Sequence, residues 1–260
     1  MRAMSIAATG MQAQQTNVEV IANNIANAST TAFARRKAEF QDLLYQSASR
    51  AGTSTSEQGT VLPVGSQVGL GTRNAAVNRV TLQGSLSETG NKLDMAVEGR
   101  GYFGVAMPDG SVSYTRDGSF KLSPQGQIVT SDGYPVEPTI NVPANARDVT
   151  INPTGEVIVT EANGRQQTAG RLNLYLFANE AGLEATGGNR FLENPASGEP
   201  TRGLPGDPGF GQVRQGYLEQ SNVNVVQEIT QLIQAQRAYE MNSKVIEAAD
   251  QMMQTANNVR

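Results

Sequence analysis

The residues whose types and spacing could support chemistry lie in the middle of the chain. Gly99, Gly101 and Gly104 fit the pattern G-x-G-x-x-G, which in dinucleotide-binding proteins lies between a strand and a helix. Here the pattern runs into VAMPDGSVSYTR, which predicts a strand, a turn and a second strand. Without a helix there is no row of free backbone amides to bind a pyrophosphate. We therefore expect these glycines to serve a bulge or close backbone packing, and we predict no cofactor.

Five carboxylates near this pattern raise the question of an acid–base pair or a calcium site: Asp94, Glu98, Asp109, Asp117 and Asp132. Three of the five precede a glycine in a predicted turn, where Asp accepts a backbone hydrogen bond. No twelve-residue calcium loop is present. The chain has no histidine and no cysteine, which removes imidazole catalysis, thiol nucleophiles and Cys/His zinc sites. The sequence predicts no catalytic residue and no metal.

Composition limits the classes of partner. The 260 residues, of which 38% are apolar, suffice for one large or two modest domains. A net charge of -4 argues against nucleic acid or an anionic membrane surface as the main partner. The short basic cluster at residues 35–37 predicts a solvated helix end or loop. We find neither an apolar run long enough to span a membrane nor a secretory signal, so export, if it occurs, requires another route.

The C-terminal residues 223–259 contain neither glycine nor proline, which predicts one uninterrupted helix of more than thirty residues. From Ala235 onward, steps of three and four alternate as in a coiled-coil seam. The seam consists of Ala235, Ala238, Asn242, Val245, Ala249, Met252, Ala256 and Val259. Upstream, Val225, Ile229 and Leu232 lie on a similar stripe, and a second apolar line consists of Val226, Ile233, Ile246 and Met253. Such a helix requires a partner.

The N-terminus carries the same alternation in Met4, Ala7, Met11, Gln14, Val18, Ile21, Ile25 and Ala28. The first 34 residues contain only two charges, Arg2 and Glu19, which is typical of helices crowded on several sides. The seam alone also fits a core helix of a monomer, but the missing charges favour a bundle between subunits. Gln14 and Asn242 are polar residues within the apolar seams. Each either fixes the register between the paired helices or faces a water-filled gap.

We predict that the apolar residues of these seams mediate self-assembly. The predicted residues are Met4, Ala7, Met11, Val18, Ile21, Ile25, Val225, Ile229, Leu232, Val245, Met252 and Val259.

Glycine and proline divide the chain. All eleven prolines lie between Pro63 and Pro208, and 26 of the 27 glycines lie between Gly52 and Gly216. The predicted fold class is α+β, with paired terminal coiled-coil helices and a central, mainly antiparallel β domain. The predicted boundaries are 1–44 for the N-terminal arm, 45–67 for an accessory loop or hairpin, 68–215 for the β domain and 216–260 for the C-terminal arm. We expect residues 33–45 to form a short helix and residues 179–211 a long surface connection.

Four motifs resemble those of the bacterial flagellar rod and hook family, in the order in which that family has them. They are IANNIANASTTAFARRKAEF (21–40), TGNKLDMAVEGRGYFGV (89–105), YTRDGSFKLSPQGQIVTSDGYPV (114–136) and residues 216–253. The string QRAYEMNSKVI and the chain length are most similar to distal rod members, then to proximal rod members, then to the longer hook proteins. Ala32-Phe33 stands where the family often has glycine before an aromatic residue, which puts a glycine-dependent bend there in question.

The resemblance implies an axial structural protein that polymerises helically into the straight distal rod and transmits motor torque to the hook. It implies terminal arms in the inner tube, a β domain outside, and an insertion at residues 45–65 associated with straight rods. It also implies type III export without a cleaved signal, a basal-body location spanning the periplasm, and contacts with the proximal rod, the hook and the periplasmic and outer-membrane rings. Among other classes, a surface enzyme and a closed coiled-coil adhesin remain alternatives.

Overall fold

The computed structural model describes residues 2–49 and 64–258, which form two compact units. Within this range the helical unit consists of residues 2–26, 36–49, 64–79 and 224–258, and the β unit consists of residues 27–35 and 80–223. The fold is α+β, with a helix at each end of the chain and an antiparallel β domain between them, as the sequence predicts.

The helical unit contains two helices and four strands. They are α1 (Arg2–Ala26), β1 (Arg36–Asp42), β2 (Tyr45–Ser49), β3 (Ser66–Gly69), β4 (Thr72–Arg79) and α2 (Val225–Asn258). The long C-terminal helix is confirmed at 34 residues. It begins after Asn224, whose side-chain Oδ1 accepts a hydrogen bond from the backbone N–H of Gln227 and so caps the helix. β1 pairs antiparallel with β4, and β2 pairs antiparallel with β3.

The predicted short helix over residues 33–45 is wrong, because α1 ends at Ala26 and residues 36–42 form β1. That strand pairs with β4 from Arg36 opposite Arg79 to Asp42 opposite Thr72, with a β-bulge between Glu39 and Phe40. Because the paired segments are far apart in the sequence, no local pattern of apolar residues predicts this strand. Phe40 and Leu44, two of the four residues that suggested the helix, are exposed and form no packed helical face.

The β unit contains sixteen short strands within the described residues. They are β5 (Leu86–Glu88), β6 (Met95–Glu98), β7 (Tyr102–Ala106), β8 (Val112–Thr115), β9 (Lys121–Leu122), β10 (Ile128–Val129), β11 (Val136–Glu137), β12 (Ala146–Ile151), β13 (Glu156–Glu161), β14 (Gln166–Arg171), β15 (Leu174–Leu176), β16 (Glu184–Gly187), β17 (Arg190–Leu192), β18 (Thr201–Gly203), β19 (Gln212–Gln215) and β20 (Tyr217–Glu219).

A seven-stranded antiparallel sheet organises the β unit, with the order β16-β17-β8-β7-β15-β18 and with β11 also paired to β7. Successive side chains of a strand point to opposite faces, and both faces of this sheet are packed. Phe103 and Leu174 belong to a large aliphatic core, whereas their neighbours Tyr102 and Tyr175 belong to an aromatic cluster with Tyr114, Phe177 and Leu183. Strands β12, β13 and β14 form a separate antiparallel sheet, from which Val157 and Val159 enter the large core.

Residues 179–211 are not the strandless connection that we expected. β16 and β17 extend the seven-stranded sheet beside β8, and β18 pairs with β15. Leu183 and Ser197 of this segment are buried. Each of these strands has only three or four residues, so the turn residues between them dominate the sequence and hide the alternation that would predict a strand.

The glycines of the G-x-G-x-x-G pattern serve close packing, as we predicted. The pattern begins in the connection between β6 and β7 and ends inside β7, so it precedes no helix. A Cβ atom on Gly104 would lie 2.6 Å from a ring carbon of Tyr175, and one on Gly101 would lie 3.1 Å from Leu174. Both side chains belong to the packing of the central sheet. The pattern therefore lets β15 pack directly against the backbone of β7.

The aromatic cluster makes the stability of the β unit sensitive to alkaline pH. Burial, together with the hydrogen bond that the Tyr114 hydroxyl donates to Glu193 Oε2 (3.0 Å), raises the pKa of Tyr114 above its ordinary value of 10.0. Because the folded-state pKa is the higher one, the stabilisation is complete below about pH 10 and is lost as the pH rises above that value. We expect the free energy of unfolding to fall by up to about 1.4 kcal/mol per pH unit from this group.

Urea unfolding between pH 8 and pH 11.5 measures this loss, and Tyr114→Phe is the matched variant because it keeps the ring and removes the titrating hydroxyl. The variant should lose about 0.5–1.5 kcal/mol below pH 10 from the missing hydrogen bond. Above pH 10 its stability should fall less steeply than that of the unchanged chain. Equal slopes for the two proteins would contradict the assignment.

Candidate self-assembly surface

The two helices of the helical unit pack against each other, and each has buried apolar residues. Ala7 and Ile21 on α1 are buried, as are Ala235 and Ala249 on α2. A Cβ atom on Gly10 would lie 2.9 Å from the side-chain amide nitrogen of Asn242. Glycine at this position therefore lets Asn242 approach α1 closely. Whether this amide fixes the register stays a prediction, and the same holds for Gln14, which is half-buried.

Burial along the helices follows only part of the predicted seams. On α1 the predicted residues Met4, Met11, Val18 and Ile25 are half-buried rather than buried. On α2, Val245 and Met252 are exposed, and Val259 lies outside the described residues. The structure thus shows two packed helices but does not confirm coiled-coil pairing.

A buried polar connection, which we did not predict, joins both helices to β1. The side-chain amide of Asn24 donates to Glu228 Oε2 (3.0 Å) and to the backbone carbonyl of Arg36 (2.8 Å). Its carbonyl oxygen accepts from the backbone N–H of Arg36 (2.9 Å). Asn24 and Glu228 are both buried. A carboxylate in the first turn of α2 is also favoured by the helix dipole.

The sequence contains a signal for Glu228. Extending the C-terminal seam backward from Asn242 and Ala235 in steps of seven places Glu228 on the same line. A carboxylate at a seam position of an otherwise apolar stretch indicates a buried partner. That signal does not name the partner, since Asn24 lies 204 positions away.

Exposed apolar side chains are concentrated in the helical unit. Among the described residues, eighteen large apolar side chains are exposed, and all except Leu82 and Leu122 belong to this unit. Nine of them lie on α2: Val225, Val226, Ile229, Ile233, Tyr239, Met241, Val245, Met252 and Met253. Isolated exposed apolar residues are ordinary, but a series along one helix marks an interaction surface. We call this series the α2 apolar surface.

The α2 apolar surface has two flanks. Val226, Ile229 and Ile233 follow one another at helical spacing in the first third of α2, and Met241, Val245 and Met252 do so further along. At about 100° per residue, the centres of the two groups lie about 105° apart around the helix axis. The two flanks therefore face different directions.

The carboxylates that could have formed a reactive site make structural hydrogen bonds instead. Asp109 accepts from the hydroxyl (2.6 Å) and the backbone N–H (2.9 Å) of Ser111, and these bonds lower the pKa of Asp109. Asp117 accepts from the backbone N–H of Ser119. Asp94 accepts hydrogen bonds from the side chains of Thr89 and Asn91. Asp132 pairs with Arg190, and Glu98 pairs with Arg214. In residues 2–49 and 64–258 no three carboxylates approach as metal ligands would, and no helix could span a membrane.

Comparison with protein families decides among the three classes of protein considered above, which are a structural flagellar protein, a surface enzyme and a coiled-coil adhesin. Residues 4–33 match the family described as flagella basal body rod protein, residues 96–159 match the flagellar hook protein FlgE/F/G D1 domain, and residues 214–259 match the flagellar basal body rod FlgEFG protein C-terminal domain. The flagellar basal-body rod protein FlgG of Caulobacter vibrioides is 53% identical over the whole of both chains. This chain belongs to the flagellar rod and hook family.

Further relatives agree with this placement. FlgG of Agrobacterium fabrum is 53% identical over 97% of each chain, and FlgG of Bacillus subtilis is 35% identical over all of this chain and 99% of its own. Members of the flagellar rod and hook family are structural proteins, so this chain is a structural protein of the flagellar basal body and not an enzyme.

Ala32, at the position where the sequence puts a glycine-dependent bend in question, has a left-handed backbone conformation. Ala32 has a φ of 55°, in the left-handed region that glycine adopts without steric cost. Its backbone N–H donates to the carbonyl of Glu219 (2.8 Å), and its side chain is buried. The alanine thus adopts a conformation that glycine reaches without steric cost, and it does so at a cost of roughly 1–2 kcal/mol.

Proposed function

We propose that the chain polymerises through its helical unit into the straight distal rod of the flagellar basal body and transmits motor torque to the hook. The observation that carries this proposal is the α2 apolar surface. A monomer that left such a series exposed would be prone to association, whereas the β unit leaves only Leu82 and Leu122 exposed among its large apolar side chains. The predicted self-assembly residues Val225, Ile229, Val245 and Met252 all belong to this surface.

The two flanks support an open assembly rather than a closed oligomer. A surface that binds a different surface on the next copy generates a ring if the rotation closes and a helical filament if it does not. Flanks that face different directions let one helix contact more than one neighbour. The first 34 residues carry only two charges, so α1 can also pack closely against several neighbours, because few charged groups would have to be desolvated.

The accessory segment at residues 45–67 is proposed to stiffen the filament. Its described ends form the β2–β3 pair, and residues 50–63 lie outside the described residues. Tyr45 and Val64 are exposed apolar residues of this segment. They are available for contacts with neighbouring copies, which would oppose bending of the filament.

Location and partners follow from the same proposal. The chain would be exported by the flagellar type III apparatus without cleavage of a signal peptide and would occupy the part of the basal body that spans the periplasm. Its partners would be further copies of itself, the proximal rod, the hook and the periplasmic and outer-membrane rings. A proximal rod or hook role is the second candidate, and the 53% identity with FlgG of two organisms over nearly the full length favours the distal rod.

Particle size measured at rising protein concentration tests the proposal, with electron microscopy of the product. We expect continued growth into straight filaments, because an open helical contact does not saturate. Deletion of residues 4–28 should abolish growth, and tyrosine fluorescence of the β unit serves as the control for folding. A plateau at a few subunits, or growth that persists in the deletion variant, would contradict the proposal. Filaments that stay straight after replacement of residues 50–63 by a short Gly-Ser linker would contradict the role of the accessory segment.

A further inference from the structure

Three methionine side chains between the middle and the C-terminal end of α2 are exposed to solvent. Met241 is 64% exposed, Met252 is 66% exposed and Met253 is 37% exposed, whereas Met95 in the core of the β unit is 0% exposed. Met241 and Met252 are eleven residues apart, which is close to three full turns and about 16 Å along the helix. Both lie on the same flank of the α2 apolar surface as Val245.

These are the most exposed methionine residues of the described chain. The sequence has no cysteine, so no thiol competes for an oxidant. The methionine sulfur needs no deprotonation to react, and its oxidation depends mainly on access. We propose that Met241 and Met252 form an oxidation site of the free chain, at which peroxide produces sulfoxides that prevent packing of this flank against another copy.

The reaction is balanced with peroxide as the oxidant. The sulfur lone pair attacks one oxygen of hydrogen peroxide, an S–O bond forms and the O–O bond breaks. The proton of the attacked oxygen passes to the departing hydroxide, which leaves as water. The thioether is oxidised by two electrons and the peroxide is reduced by two. A methionine sulfoxide reductase would reverse the change, with one enzyme class for each sulfoxide epimer.

The expected consequence rests on the proposed function. A sulfoxide converts a flexible apolar side chain into a polar one, and burying it without a hydrogen-bond donor is unfavourable. We expect the critical concentration for polymerisation to rise at least about tenfold when both residues are oxidised. In the assembled filament the same side chains are covered and should react slowly. The site would therefore act between export and incorporation.

Graded hydrogen peroxide treatment of the full-length monomer, followed by peptide mass spectrometry and a polymerisation assay, tests this inference. Met241 and Met252 should oxidise first and Met95 last. The double variant Met241→Leu/Met252→Leu should polymerise after treatment, and Met107→Leu, which alters a methionine of the β unit, should stay sensitive. Met241→Gln/Met252→Gln should reproduce the loss without peroxide.

The outcomes of this experiment distinguish a failure of the proposed oxidation site from a failure of the proposed polymerisation. Oxidation of Met241 no faster than that of Met95 would overturn the site, and this rate is measured on the monomer without any polymerisation. Unchanged polymerisation of chains oxidised at both residues would also overturn it. Failure of untreated, unoxidised protein to polymerise would instead count against the proposed function, and the oxidation rates would still decide whether the site exists.

Discussion

Replacement of Arg116 by alanine is expected to destabilise the β unit by about 3–5 kcal/mol, because it removes one partner of a buried ion pair. The guanidinium Nε donates to Glu219 Oε2 (2.8 Å), and the side chains of Arg116 and Glu219 are only 14% and 7% exposed. The two terminal nitrogens donate to the backbone carbonyls of Val97, Gly99 and Gly101 at 3.0–3.3 Å. Alanine would leave a buried carboxylate and the carbonyls of the β6–β7 connection without these donors.

The chain provides a matched control at Arg214. Its Nε lies 2.8 Å from Glu98 Oε2, the same distance as in the Arg116 pair, but the two side chains are 49% and 50% exposed. Arg214→Ala should therefore cost at most about 1 kcal/mol. Arg116→Lys should fall between the two alanine variants, since it keeps the charge and loses the planar set of donors.

Chemical unfolding followed by tyrosine fluorescence gives the three free energies. If Arg116→Ala and Arg214→Ala destabilise the protein equally, burial is not what makes the Arg116 pair important. A larger effect from Arg116→Lys than from Arg116→Ala would point to steric strain rather than to the loss of hydrogen bonds.

The extent to which the sequence predicts the fold depends on how local the determining interactions are. The 34-residue α2 is predictable because neither glycine nor proline interrupts a continuous helical pattern. The turns at residues 123–126 and 152–155 are predictable because Pro and Gly occupy fixed turn positions, and the structure closes each with a hydrogen bond between its first and fourth residues. The β1 strand was not predictable in the same way, since its partner β4 begins thirty residues after β1 ends.

The distinction between local and long-range interactions also applies to polar residues that join distant segments within one unit. The Asn222 side chain accepts from the backbone N–H of Arg35 (2.7 Å) and donates to the carbonyls of Val80 (3.0 Å) and Leu82 (2.7 Å). One side chain thus joins three segments separated by more than 40 positions from one another. No periodicity marks such a residue, because its role is set by the tertiary structure. The exposed apolar series of α2, by contrast, could be read from spacing, although the sequence did not distinguish the residues that pack on α1 from those left exposed.

Acidic substitution on one flank of the α2 apolar surface is expected to abolish polymerisation and leave the monomer folded. The double variant Val226→Glu/Ile233→Glu alters two side chains that are 76% and 46% exposed. Glutamate has a high helix propensity and both positions face solvent, so the free energy of unfolding of the monomer should change by no more than about 0.5 kcal/mol for each substitution. In the assembly two carboxylates would be buried without partners, which should raise the critical concentration more than about a hundredfold.

The control exchanges the same two side chains, as Val226→Ile/Ile233→Val. It keeps the charge, the apolar character and the total volume, so it should polymerise at nearly the concentration of the unchanged chain. Sedimentation at rising concentration measures both variants. Because the two flanks face different directions, the acidic variant should still present Met241, Val245 and Met252 for one contact and should therefore cap growing filaments of unchanged chain when mixed in small amounts. Unimpeded growth of such mixtures would mean that the Val226–Ile233 flank makes no contact between subunits, and the assembly surface would have to lie on the other flank and on α1.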